Sequence, residues 1–164
     1  MEFNLGRFLA PDPLAIPKRG GQQTARKAIS ILLGKGLGFH EPTAAERQAL
    51  LVAFAHRGMV LYGAAFDLIQ TPEIIDLSNG DVIAEKLDQI TVVEIKSTNR
   101  AEIGPDFRRY FFNLSTAELL VAQSLGKRFR FAFVNTVTGE HQELVLQDVF
   151  ARARGIYPSW SIKF

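Results

Sequence analysis

Ile90-Thr91-Val92-Val93-Glu94-Ile95-Lys96-Ser97-Thr98 is an apolar run that turns charged towards one end. In a β-strand the side chains alternate between faces, so Glu94 and Lys96 point the same way, about 7 Å apart, while Val93 and Ile95 face the opposite layer. A half-exposed strand would alternate apolar and polar residues throughout. This one is apolar until Glu94, which is the pattern of a central, buried strand with a polar terminus. A hard oxygen ligand beside a fixed cation suits phosphodiester hydrolysis: the carboxylate can hold Mg²⁺, and the lysine can orient water or neutralise charge developing on the phosphate. A Glu-x-Lys triple arises by chance in roughly one chain in two of this length, so the buried context carries the reading. The plain alternative is a solvated ion pair on a strand.

The rest of the composition narrows the field. A chain of 164 residues suits one domain and buries roughly two thirds of the surface its unfolded form exposes. Cysteine is absent, which excludes disulfides and thiol chemistry, and His40, His56 and His141 lack metal-ligand spacing. Met1-Glu2-Phe3-Asn4 does not begin a targeting segment, and no run of 18 apolar residues occurs, so a cytoplasmic protein with no membrane partner is expected. The net charge of +2 and pI near 9.0 permit an anionic partner. Basic residues cluster at Lys18-Arg19, Arg26-Lys27, Arg108-Arg109, Lys127-Arg128-Phe129-Arg130 and Arg152-Ala153-Arg154. Each is ordinary solvated surface unless it converges on Glu94 and Lys96.

Along the chain, residues 1–40 read as an arm and a helix. Pro11, Pro13 and Pro17 mark the irregular part, Gln22 to Leu33 has helical apolar spacing, and Gly34-Lys35-Gly36-Leu37-Gly38 is a hinge or turn without the spacing of a phosphate-binding loop. Thr43-Ala44-Ala45-Glu46 is a capping box that opens a second helix, which Gly58 closes. Met59 to Tyr62 and Ala65 to Ile69 read as one strand or two, with Thr71 to Leu77 continuing extended. Asp81 to Asp88 is ambiguous, with a short helical turn among its readings. Arg108 to Leu114 reads as extended, and Ser115-Thr116-Ala117-Glu118 caps a helix that stops at Gly126. Phe129 to Asn135 is an alternating aromatic strand, Thr138-Gly139 turns it into a strand from Glu140 to Leu146, and Asp148 to Arg154 is a final short helix.

The order is helix, two or three strands, helix, strand. With Glu94-Ile95-Lys96 on the last of those first strands, the chain resembles the PD-(D/E)xK nuclease superfamily over about residues 43–136. The resemblance implies an α/β fold with a restriction-endonuclease-like αβββαβ core, a mixed central sheet flanked by helices; residues 1–164 read as one domain, with the N-terminal arm and helix at 1–40 before that core and a hairpin strand and short helix at 137–164. It also implies a Mg²⁺-dependent endonuclease acting on double-stranded DNA, with Mn²⁺ able to substitute, and a homodimer where two sites cut two strands. The alternative function is a noncatalytic nucleic-acid-binding or assembly protein that keeps the fold.

Glu94 and Lys96 match the family's Glu-x-Lys positions, and Ile95 offers a backbone carbonyl as a further metal ligand. The family's first acid comes from the preceding strand. Asp67 is the first choice, because Gly63-Ala64-Ala65-Phe66-Asp67-Leu68-Ile69 resembles the family's glycine-then-aromatic-Asp pattern and an Asp among apolar strand residues needs a reason to be there. Glu73, after Pro72, and Asp76 are the alternatives. Glu118 and Gln123 could add a polar group from the following helix, although a cap explains the first and solvent the second. Ser97, Arg108, Arg109, Lys127 and Arg128 are the candidate nucleic-acid contacts.

Overall fold

A computed structural model describes residues 19–157, so the proline-marked arm at 1–18 and residues 158–164 lie outside the described part. The elements in chain order are α1 (Arg19–Leu33), β1 (Phe39–His40), α2 (Ala44–His56), β2 (Leu68–Gln70), α3 (Gly80–Lys86), β3 (Thr91–Thr98), α4 (Thr116–Leu125), β4 (Phe129–Asn135), β5 (His141–Leu144) and α5 (Leu146–Arg152). Both capping boxes form. Thr43 Oγ1 accepts from Glu46 N at 3.3 Å while Thr43 N donates to the Glu46 carboxylate at 2.7 Å, and Ser115 and Glu118 repeat the arrangement at the start of α4.

The five strands lie in sequence order in one sheet. β1, β2 and β3 are antiparallel neighbours, β3 and β4 are parallel from Val92↔Phe129 to Thr98↔Asn135, and β5 returns antiparallel on β4. A parallel pair needs a crossover, and α4 supplies it. The β3 sequence therefore ends up central and buried, as its apolar run requires. Leu68, Val93, Ile95, Ala132 and Val134 face one layer, where Ala28, Ile29 and Leu32 of α1 cover them. Ile69, Val92, Phe129, Phe131 and Phe133 face the other, against Leu50, Ala53 and Phe54 of α2 and Val121, Ala122 and Leu125 of α4. No helix among the described residues is long and apolar enough to cross a membrane.

The architecture is thus mixed α/β, with helices flanking a mixed sheet, but the strands before α4 are not where the sequence pattern puts them. Only Leu68–Gln70 of the expected segments from 59 to 77 pairs as a strand, and the third strand is β1, which precedes α2. Met59 and Leu61 alternate inward as a strand would, yet Val60 N donates to the Ser124 hydroxyl on α4 at 2.7 Å instead of entering a ladder. Gly63–Ala65 is a single 3₁₀ turn whose Gly63 carbonyl is held by Arg47. Beyond β2, Pro72 brings no amide donor and Asp76 closes a local turn onto Ser78, so pairing stops. The pairing of β1 depends on Gly38: at φ +79° an added Cβ would lie 2.0 Å from the Thr71 carbonyl oxygen, and only glycine admits that approach. The ambiguous stretch after Gly80 is helical, with Asn79 capping α3, and residues 108–114 form no strand.

Candidate active site

The antiparallel register Leu68↔Val93, continued by one residue, sets Asp67 beside Glu94 on the face of the sheet that α2 and α4 cover. Asp67 N donates to the Val93 carbonyl at 2.9 Å, and Ile95 N donates back to Asp67 Oδ2 at 2.9 Å, so the side chain caps the point where β2 begins. Lys96 Nζ donates to Glu94 Oε1 at 3.1 Å and to Glu118 Oε2 at 2.7 Å. Glu118 therefore serves two purposes: its carboxylate caps α4 through Ser115 N at 3.1 Å and also holds Lys96. Glu94 and Glu118 are each only 8 % exposed.

Three carboxylates around Lys96, with Arg47 of α2 as the second cation acting on Asp67 and Glu94, leave an excess of negative charge in a poorly hydrated place. Burial, and then the neighbouring Asp67, push the Glu94 carboxyl up to about 9, against the pull of Lys96. Burial also raises Asp67, opposed by its bond from Ile95 N and by Lys96. Although burial acts against it, Lys96 lies above the ordinary lysine value, because Glu94 and Glu118 favour its charged form. The cluster is therefore short of positive charge.

Arg47, on α2, was not legible in the sequence as part of this site. Its Nη1 donates to the carbonyls of Gly63 at 2.8 Å and Phe66 at 2.7 Å, its Nη2 donates to that of Asp67 at 3.4 Å, and its guanidinium lies 4.1 Å from the centre of the Phe66 ring. One side chain thus holds the backbone of the turn that delivers Asp67. Arg47 is separated from that turn by most of α2, and nothing in the local pattern around it marks such a partner.

The remaining candidates separate. Glu73 is exposed and paired with Lys86 at 2.6 Å, and Asp76 is occupied by Ser78, so of the three acids Asp67 is the one beside Glu94. Gln123 is exposed on α4. Ser97 pairs with Val134, which faces α1, so its hydroxyl leaves from the face opposite Lys96; its carbonyl accepts from the Tyr110 hydroxyl at 2.6 Å. Arg108 and Arg109 are exposed on the loop after β3, lining a depression of about 500 Å³. Lys127 and Arg128 precede β4 at the opposite end of the parallel pair, and Arg128 is engaged by Asp88 and Met59. The two basic pairs do not converge.

A divalent cation is what the resemblance implies here, and the donor set is compatible with one. Asp67 and Glu94 each commit one oxygen to a hydrogen bond, and neither Asp67 Oδ1 nor Glu94 Oε2 takes one among the described residues. The Ile95 carbonyl leaves the strand on the side of its N–H, beyond the first paired residue of β2. These are hard oxygen donors, and Mg²⁺ is commonly held by one or two carboxylates with water completing its shell. No group of three or more His, Cys, Asp or Glu among the described residues is arranged to hold a metal. Comparison with protein-family models, curated proteins and solved structures found no match for this chain.

Proposed function

We propose that this protein is a Mg²⁺-dependent nuclease that hydrolyses phosphodiester bonds in DNA, with a restriction-endonuclease-like core. The observation that carries the reading is the meeting of Asp67, Glu94 and Lys96 on one face of the sheet from adjacent antiparallel strands. The sheet supports it too, since β2 antiparallel to β3, and β3 parallel to β4 through a crossover helix, is the mixed arrangement such a core needs.

Asp67 and Glu94 would hold the metal, with the Ile95 carbonyl as a further donor. When bound, Mg²⁺ supplies Lewis acidity towards a phosphoryl oxygen and offsets the negative charge of the cluster. Lys96 remains cationic beside the two carboxylates and would stabilise the negative charge on the phosphoryl oxygens during in-line attack by water on phosphorus. Glu118 holds the Lys96 ammonium group on the face of β3 that carries Glu94, and Arg47 fixes the turn from which Asp67 projects.

A second reading, a noncatalytic nucleic-acid-binding or assembly protein, is favoured by one observation: Lys96 Nζ is already engaged by two carboxylates. Incubation of the purified chain with supercoiled plasmid separates the two. The nuclease reading expects nicking or cutting with Mg²⁺ or Mn²⁺, its arrest by EDTA, and a loss of at least about a hundredfold in turnover for Glu94→Ala and for Lys96→Ala. Unchanged cleavage by folded Glu94→Ala protein overturns it. Salt-sensitive DNA binding without any cleavage by the wild type supports the second reading.

A further inference from the structure

The loop from residue 99 to 115 carries an aromatic and basic surface that the metal site does not use. Ile103 is buried and anchors it, Arg109 N donates to the Ile103 carbonyl at 2.8 Å, and the Tyr110 hydroxyl ties the loop to Ser97 on β3. Tyr110 and Phe112 stack at 5.7 Å, and both pack edge-on against Phe133, at 6.1 and 4.8 Å. Phe133 pairs with Lys96, so this cluster stands one strand away from that lysine.

With residues 110 and 112 facing inward, the residue between them faces out. Phe111 is 72 % exposed, an apolar ring that the fold leaves uncovered. Arg108 and Arg109 immediately precede this aromatic run, and together with Arg154, which follows α5, they line the depression of about 500 Å³. Among the described residues, Glu102 is the single carboxylate in its wall and none of the three arginines has an ion pair.

Resting on the nuclease reading, we propose that Phe111, Arg108, Arg109 and Arg154 form a binding site for single-stranded DNA, leading an unpaired strand towards Lys96. An exposed ring two residues after an arginine pair that has no ion pair among the described residues matches the two requirements of single-strand binding, a stacking platform for a base and cations for the adjoining phosphates. A duplex hides its base faces within the stack and offers Phe111 nothing to stack on. Phosphate attraction alone accounts for the arginines but not for the ring.

The test is fluorescence anisotropy of the full chain with a labelled oligodeoxythymidine and with a matched hairpin duplex, in EDTA over a salt series. The wild type is expected to bind the single strand more tightly. Phe111→Ala should weaken that binding about tenfold without changing its salt slope or the duplex affinity, and Phe111→Trp should retain it. The triple variant Arg108→Gln, Arg109→Gln, Arg154→Gln should lower the salt slope by about 2, given roughly 0.7 per phosphate contact on a single strand. Because all four side chains are exposed, unchanged circular dichroism and melting are expected. Duplex preference, no binding of either DNA, or a Phe111→Ala protein that binds the single strand like the wild type overturns the site. Single-strand binding that depends on Phe111 in a protein that never cleaves with Mg²⁺ sustains the site and sinks the nuclease reading; cleavage with no dependence on Phe111 does the reverse.

Discussion

Replacing Glu94 by glutamine removes a charge that the fold makes costly to form. The Glu94 carboxyl is raised from the ordinary 4.5 to about 9 in the folded protein, by burial first and by Asp67 second. A raised acid has a definite sign: below about pH 4.5 it is protonated in both states and costs nothing, while between 4.5 and 9 the unfolded chain ionises and the folded one resists. Stability is therefore lost as pH rises through that window, by about 1.4 kcal/mol per unit, and the loss is constant above it. At pH 7 the interval from 4.5 spans 2.5 units, which gives about 3 kcal/mol. The Glu94→Gln variant would escape this cost while its new amide oxygen still accepts from Lys96. Urea unfolding of both proteins in EDTA at pH 5, 6, 7 and 8 measures the difference, since titration of groups remote from the cluster cancels between them. The variant should gain on the wild type at each step. Adding Mg²⁺ or Ca²⁺ at pH 7 should then stabilise the wild type more than the variant, because the variant keeps Asp67 but loses the second carboxylate that offers the cation a charge. Parallel stability curves across the four pH values would refute the reasoning, as would a cation that stabilises both proteins equally.

Asp67→Asn should abolish metal-dependent cleavage and leave apo stability equal or higher, whereas Glu73→Gln and Asp76→Asn should keep most activity; plasmid cleavage by the three purified proteins checks this, and a loss confined to Glu73→Gln would move the role there. Arg47→Ala should cost about 2–3 kcal/mol, because removing a charged donor leaves three carbonyls of one turn unsupported. Arg47→Lys keeps the charge but not the fork or the ring stacking, and should recover only part of that loss in urea unfolding.

Much of the local structure was legible because its causes are local. The capping boxes at Thr43 and Ser115 each lie within one turn of chain, and both form as read. The buried character of 90–98 follows from the apolar run that precedes Glu94, and strand alternation alone puts Glu94 and Lys96 on one face. The misreading of 59–77 has the opposite origin. An apolar alternation such as Met59-Val60-Leu61 states which side chains face inward, but a strand also needs a partner with free backbone groups, and here Ser124 and Arg47 take those groups instead.

Residue type and spacing thus determined by themselves that the chain is α/β, that β3 is central, and that a carboxylate and a lysine share its polar end. Only the tertiary structure decided which acid joins them, because the three candidates between residues 67 and 76 differ chiefly in where their backbone goes: Asp67 falls in register with Glu94, while Glu73 and Asp76 are held outside by Lys86 and Ser78. It likewise brought in Arg47 and gave Glu118 its second partner. Those interactions join α2 to the turn before β2 and α4 to β3, and their energies depend on separations that exist only once the sheet has closed against both helices.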